Sequence, residues 1–163
     1  MTRLKAQVAQ LQLRLLGHAE HVQVGAEVGA TSAANWLAHQ TRTTRPVVHR
    51  AARLAKGLDD AHPEVDAALA DAQVTLDQAQ VIVDAVDALP ADLVSAATVG
   101  QAKAFLLEQA AHHDAKGLRI LGRRLLEVLD PAAADREEAR RLKREEEEAR
   151  AAASFTMSDD GHG

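Results

Sequence analysis

TSAANWLAHQTRTTRPVVHRAARLAKGLDDAHPEVDAALADAQVTLDQAQVIVDAVDAL, residues 31–89, is a run of short helical segments separated by start and stop signals, and its reading decides the fold. In its middle, Arg45 to Leu58 combines positive charge with helical spacing. Pro46 suits a first helical turn, where its missing N–H costs nothing, and Thr43 or Thr44 supplies the N-cap. Val47, Ala51, Leu54 and Leu58 recur at helical intervals and build one apolar face, while Arg45, His49, Arg53 and Lys56 recur on another with Arg50 beside them. One side of such a helix packs, and the other meets an anion.

Upstream, Thr31 or Ser32 caps a short helix carrying Trp36 and Leu37, and Gln40 to Thr44 is a polar connection of turn length. Two short helices joined by a tight turn, the second one basic, form a helix-turn-helix-like unit within residues 31–89. Arg42, Arg45, His49, Arg50, Arg53 and Lys56 are therefore the candidate nucleic-acid-binding residues, with double-stranded DNA as the partner. The competing account is a core helix whose arginines are merely solvated.

Working outward, Gly57 with Asp59-Asp60 marks a turn, and Pro63 opens a short helix that turns Val65 and Leu69 inward. Thr75-Leu76-Asp77-Gln78 matches a capping box, in which hydroxyl and amide satisfy each other's backbone donors. Leu76, Ala79, Ile82 or Val83, Val86 and Leu89 then face the core until Pro90 stops the helix. Asp92 is placed to cap a helix from Leu93 to His112 centred on Phe105, Leu106 and Leu107, and Asp114 to cap one from Ala115 to Leu129. In the latter, Leu118, Leu121, Leu125 and Leu129 continue the core stripe and Arg119, Arg123 and Arg124 face outward.

Residues 2–29 read as one helix, or two with a break near Gly17, and Leu4, Val8, Leu11 and Leu15 stand in heptad-like steps suited to a partner helix. From Pro131 to Ala153, Glu, Arg and Ala dominate, with pairs spaced as Arg141–Glu145 and Arg144–Glu148, so this segment is expected to be a projecting or linking helix. Residues 1–130 then form a helical domain, 131–153 a charged helix and 154–163 a tail with strand-like Phe155-Thr156-Met157. Segments 1–29 and 131–153 are the candidates for contact with a partner protein or a second copy.

The 163 residues suit one domain, and an aromatic content of 2% leaves the core to Leu, Val and Ala. The expected fold class is all-α: a compact domain of about six to seven helices. Absence of cysteine excludes disulfides, thiol nucleophiles and Cys-based zinc sites. No segment approaches the length of a membrane span and no signal peptide is visible, so a cytoplasmic protein is expected. A formal charge of −5 confines any DNA affinity to a local patch. From Ala61 to Gly100 there are seven acidic residues (Glu64, Asp66, Asp71, Asp77, Asp84, Asp87, Asp92) and no Lys or Arg, a surface that repels phosphate.

Other constellations are weaker. His18 and His21, and the triplet His112-His113-Asp114, have metal-ligand chemistry, but surface imidazoles and a capped helix end account for them. No nucleophile elbow, phosphate loop or dinucleotide fingerprint occurs, so no catalytic residue, cofactor, metal or small-molecule substrate is assigned.

Trp36-Leu37-Ala38, Arg50-Ala51-Ala52-Arg53-Leu54-Ala55, the run Ala67 to Ile82, Leu89-Pro90, Leu106 to Ala110 and Arg123 to Pro131 fall in a collinear series that resembles the bacterial domain of unknown function 222. That domain also appears in the 13E12 repeat family, where it commonly precedes an HNH endonuclease domain. The resemblance implies a non-catalytic DNA-binding or accessory domain of an HNH-endonuclease-like protein, and a truncated member of the family. The alternative is a structural or oligomerisation module that binds no nucleic acid. The histidines and asparagine of the HNH motif have no counterpart here. A looser likeness, from Thr43 to Val86, is to the helix-turn-helix region of ParB-like partition proteins, from which the acidic stretch after Ala61 departs.

Overall fold

A computed structural model describes residues 2–27 and 29–153, which form ten α-helices and no strand. They are α1 (Thr2–His21), α2 (Val24–Glu27), α3 (Ala33–Thr41), α4 (Arg45–Asp60), α5 (Pro63–Ala70), α6 (Leu76–Asp87), α7 (Ala96–Gln109), α8 (Ala115–Arg123), α9 (Leu125–Leu129) and α10 (Pro131–Ala152). The all-α expectation holds; α1 to α9 make up the domain and α10 is the separate charged helix, so the domain exceeds the expected seven by two, and that surplus comes from two interruptions. The first lies at Val22-Gln23, where Gln23 takes a positive φ of 54°, and not at Gly17, which stays helical and faces Ala55 closely. The second is Arg124, whose φ of −103° and ψ of 8° divide the expected Ala115–Leu129 helix.

The core is aliphatic. Val65, Leu69, Ile82, Leu106, Leu118 and Leu125 are fully buried, drawn from α5 through α9 around α6. Leu76, expected inward, is exposed because the buried stripe of α6 starts at Gln78 and Ala79 and takes in Val81, Ile82, Val83 and Val86. α6 and α8 approach so closely that a Cβ on Gly122 would lie 2.7 Å from the Cβ of Ala85. Gly122→Ala should therefore lower stability by about 1–3 kcal/mol through overpacking, despite the better helix propensity of alanine, as measured by urea denaturation.

Helix starts follow the side-chain chemistry of their caps. Ser32, Ser95 and Asp114 accept from the N–H groups of Asn35, Thr98 and Gly117, and Asp130 from Ala133. Ser95 and not Asp92 opens α7; Asp92 instead meets Arg140 of α10 at 2.7 Å, and that guanidinium holds its carboxyl below the usual range. The Thr75–Gln78 capping box is complete, and Gln78 reaches further. Its Nε2 donates to the carbonyls of Ala110 and His113, both at 2.8 Å, while its Oε1 accepts from Thr75 N–H. One buried amide thus joins the start of α6 to the end of α7.

α1 packs on α4 and α5 through Ala6, Leu13 and Leu16, with buried Gln10 donating to Asp66. α10 buries Ala133 against the body and is exposed throughout from Glu138 onward. Arg141 meets Glu145 at 3.5 Å as its spacing suggests, whereas Arg144 turns back to Glu137 at 3.2 Å instead of reaching Glu148. The strand-like Phe155-Thr156-Met157 lies outside the described residues. No helix described is long and apolar enough to cross a membrane.

Candidate nucleic-acid interface

α3 and α4 form the helix-turn-helix-like unit. The turn is Arg42-Thr43-Thr44, with Arg42 in the left-handed region at φ 53° and the Thr43 N–H closing on the carbonyl of Ala38 at 3.0 Å. Thr44 takes the N-cap position of α4 without a side-chain bond, and the Thr43 hydroxyl instead accepts from that of Thr41 at 2.9 Å. α4 continues through Gly57 to Asp60, two residues beyond the expected end at Leu58. Its buried face is Val48, Leu54, Ala55 and Leu58. Val47, expected inward, is 57% exposed, because the stripe is centred on the 48–51–55–58 line, one position further round the helix.

Arg42, Arg45, Arg50, Arg53 and Lys56 are all exposed, and among the described residues no carboxylate stands within ion-pair distance of any of them. The first turn of α4 holds no acid, so the positive end of the helix dipole reinforces Arg42 and Arg45. Asp59 and Asp60, also exposed, close the cationic face at the other end.

His49 differs from the five cations. It is half-buried, and its Nε2 lies 3.0 Å from the Oδ1 of Asn35, whose Nδ2 donates to Thr31 at 2.6 Å. A carbonyl oxygen only accepts, so this bond needs the proton on Nε2, and the ring serves to tie α3 to α4. The same side of α3 supplies residues that sequence reasoning missed. Asn35, Trp36, His39 and Gln40 line a shallow cleft with Arg45 at the helix junction. Their spacing along α3 placed Trp36, His39 and Gln40 on one face, which was the available signal.

The second helix pair, α5 and α6, has the same outline, with Ala72 at φ 57° in its turn. Its second helix is a core element, and its outer side carries Asp77, Asp84 and Asp87. This pair therefore offers phosphate a repelling surface, and α4 alone of the 31–89 helices carries a basic face. The acids of the stretch are largely engaged locally: Glu64 with Lys103 at 3.0 Å, Asp66 with Gln10, Asp84 with Gln80, and Asp87 with His62 at 2.9 Å. Glu64 is held below the usual carboxylate range by its own backbone N–H and by the Lys103 ammonium. His62 is 2% exposed, and its Nδ1 has no hydrogen-bond partner among the described residues.

The remaining candidates stay apart. His18, His21, His112 and His113 are exposed, and no group of three or more metal-ligating side chains assembles among the described residues. Arg119, Arg123 and Arg124 are exposed around the end of α8.

Fold and site together define an all-helical domain whose most distinctive surface is one outward cationic helix face. The chain belongs to the family described as Domain of unknown function (DUF222), whose model matches residues 1–158. No curated protein and no solved structure shows a match to the chain.

Proposed function

We propose that this chain is a non-catalytic DNA-binding or accessory domain that serves an HNH-endonuclease-like protein by laying the outer face of α4 on duplex backbone. The observation that carries this reading is the set of five exposed cations, Arg42, Arg45, Arg50, Arg53 and Lys56, with no carboxylate within ion-pair distance among the described residues. Cations paired with protein acids have already exchanged their counterions, whereas unpaired ones release phosphate counterions on contact with DNA and gain affinity from it. Arginine suits the task through its planar fork of donors. Nuclease chemistry, by this reading, belongs to another part of such a protein, because no HNH histidine–asparagine set occurs in these residues.

The net charge of −5 opposes binding at long range, so affinity is of the non-specific order, a Kd of about 10–100 µM at physiological salt and tighter at low salt. Fluorescence anisotropy with a short labelled duplex should give a log–log salt slope of about −4, the value for four to five phosphate contacts. Arg50→Glu with Arg53→Glu should weaken binding at least tenfold and flatten that slope. Absence of low-salt binding by the unaltered chain, or equal binding by the double variant, would overturn the proposal.

A further inference from the structure

We infer that the outward face of α1 is a self-association surface, through which two copies of this chain pair. The inference goes beyond the DNA reading and does not depend on it.

A helix that docks on a domain needs one apolar stripe; α1 has two, on opposite sides. The inner one, Ala6, Leu13 and Leu16, is buried against α4, α5 and the α3 side of the domain. The outer one consists of Leu4, Val8, Leu11 and Leu15, exposed by 67%, 44%, 56% and 61%. At 100° per residue the two stripes lie about 180° apart, so no small rotation of α1 buries both. From Leu4 to Leu15 the outer residues follow the alternating four-three spacing of a coiled-coil seam, with leucines and a valine at the seam positions; the next position is His18, and exposed Val22 falls in the turn that ends the helix.

The pattern selects a second copy of the same helix as occupant. Knobs and holes on this stripe are self-complementary, as a two-fold interface requires. The charged residues beside the seam are both cations, Lys5 and Arg14, on opposite edges, with Gln7, Gln12, Ala19 and His21 as the other flanking residues. Parallel pairing sets Gln7 against Gln12 and Arg14 against Ala19; antiparallel pairing sets Lys5 against Gln12 and Arg14 against Gln7. Neither opposes like charges. α10, the other exposed helix, presents Leu142 amid charged residues and has no matching stripe. A helix of 20 residues is about 30 Å long, and pairing along it buries on the order of 900 Å² in total, below the roughly 1,200 Å² at which stable specific interfaces begin and in the range of weak, transient ones. Because α1 is already folded against the domain, pairing does not have to order it. A weak dimer follows, with a dissociation constant on the order of 10–100 µM.

Sedimentation equilibrium of the full chain, from about 1 to about 300 µM, tests this. The average mass should rise from 17.4 kDa toward twice that value. Leu11→Glu with Leu15→Glu should remain monomeric throughout, at least a tenfold weakening, with unchanged melting temperature in dilute solution because neither side chain touches the core. Leu142→Glu should dimerise as the unaltered chain does. A monomer at every concentration, dimerisation of the α1 double variant at unaltered strength, or loss of the dimer in the Leu142→Glu variant would overturn the inference. Anisotropy of the α1 double variant with DNA keeps the two proposals separate, since its α4 face is intact.

Discussion

A Gln78→Glu variant should unfold about 3 kcal/mol more easily than the unaltered chain at neutral pH, although glutamate is a favoured residue at the third position of a capping box. In an isolated helix the change would be neutral or helpful, since a carboxylate accepts from the N-cap N–H as well as an amide does. Here the other half of the amide decides the outcome. The Nε2 of Gln78 supplies both the Ala110 and the His113 carbonyls, in a site that is 8% exposed. A carboxylate cannot donate, so two acceptors at the end of α7 lose their partner and face a buried negative charge.

Burial and the carbonyl oxygens both raise the pKa of the introduced acid in the folded state. The folded variant therefore binds a proton more tightly than the unfolded one, and its penalty shrinks as pH falls. Urea denaturation of both proteins at pH 7 and near pH 5 measures this. Equal stability at pH 7, or a deficit that does not change with pH, would refute the role given to the amide.

Leu106→Ala should cost about 3–5 kcal/mol. Leu106 is 0% exposed, in the cluster that joins α5, α6, α7 and α8, and truncation leaves a cavity that rigid helix backbones fill poorly. For a domain of this size the loss is a large share of a total of roughly 5–15 kcal/mol, and the melting temperature should drop by about 10 °C. Leu142→Ala, at a residue 53% exposed on α10, should stay within about 0.5 kcal/mol and provides the comparison. Similar losses at the two positions would contradict the described core.

Much of this architecture was legible from local chemistry. Pro46, Pro63, Thr75, Asp114 and Pro131 stand at or beside helix starts because their effects act within one turn, and those starts lie where the residues point. The exposure of Arg42, Arg45, Arg50, Arg53 and Lys56 was legible too, since charged side chains on one arc of a helix have few routes to burial. What failed needed knowledge of partners distant in sequence. Val47 and Val48 are chemically equivalent neighbours, and only the position of α1 and α3 decides which one is covered. Asp92 has the chemistry of a cap but answers to Arg140, 48 residues away. His62, buried against Asp87, and the second contact set of Gln78 are likewise invisible without the packing of α5, α6 and α7.

The placement of Trp36 gives this chain a built-in optical reporter. It is the sole tryptophan in a sequence with no tyrosine, and it sits half-buried in the cleft between α3 and the start of α4. Its emission can be excited with almost no background, and a polyanion settling over Arg45 would change its surroundings directly. Titrations can thus follow unlabelled ligands by wavelength and intensity, with iodide quenching to measure how far a bound molecule shields the indole.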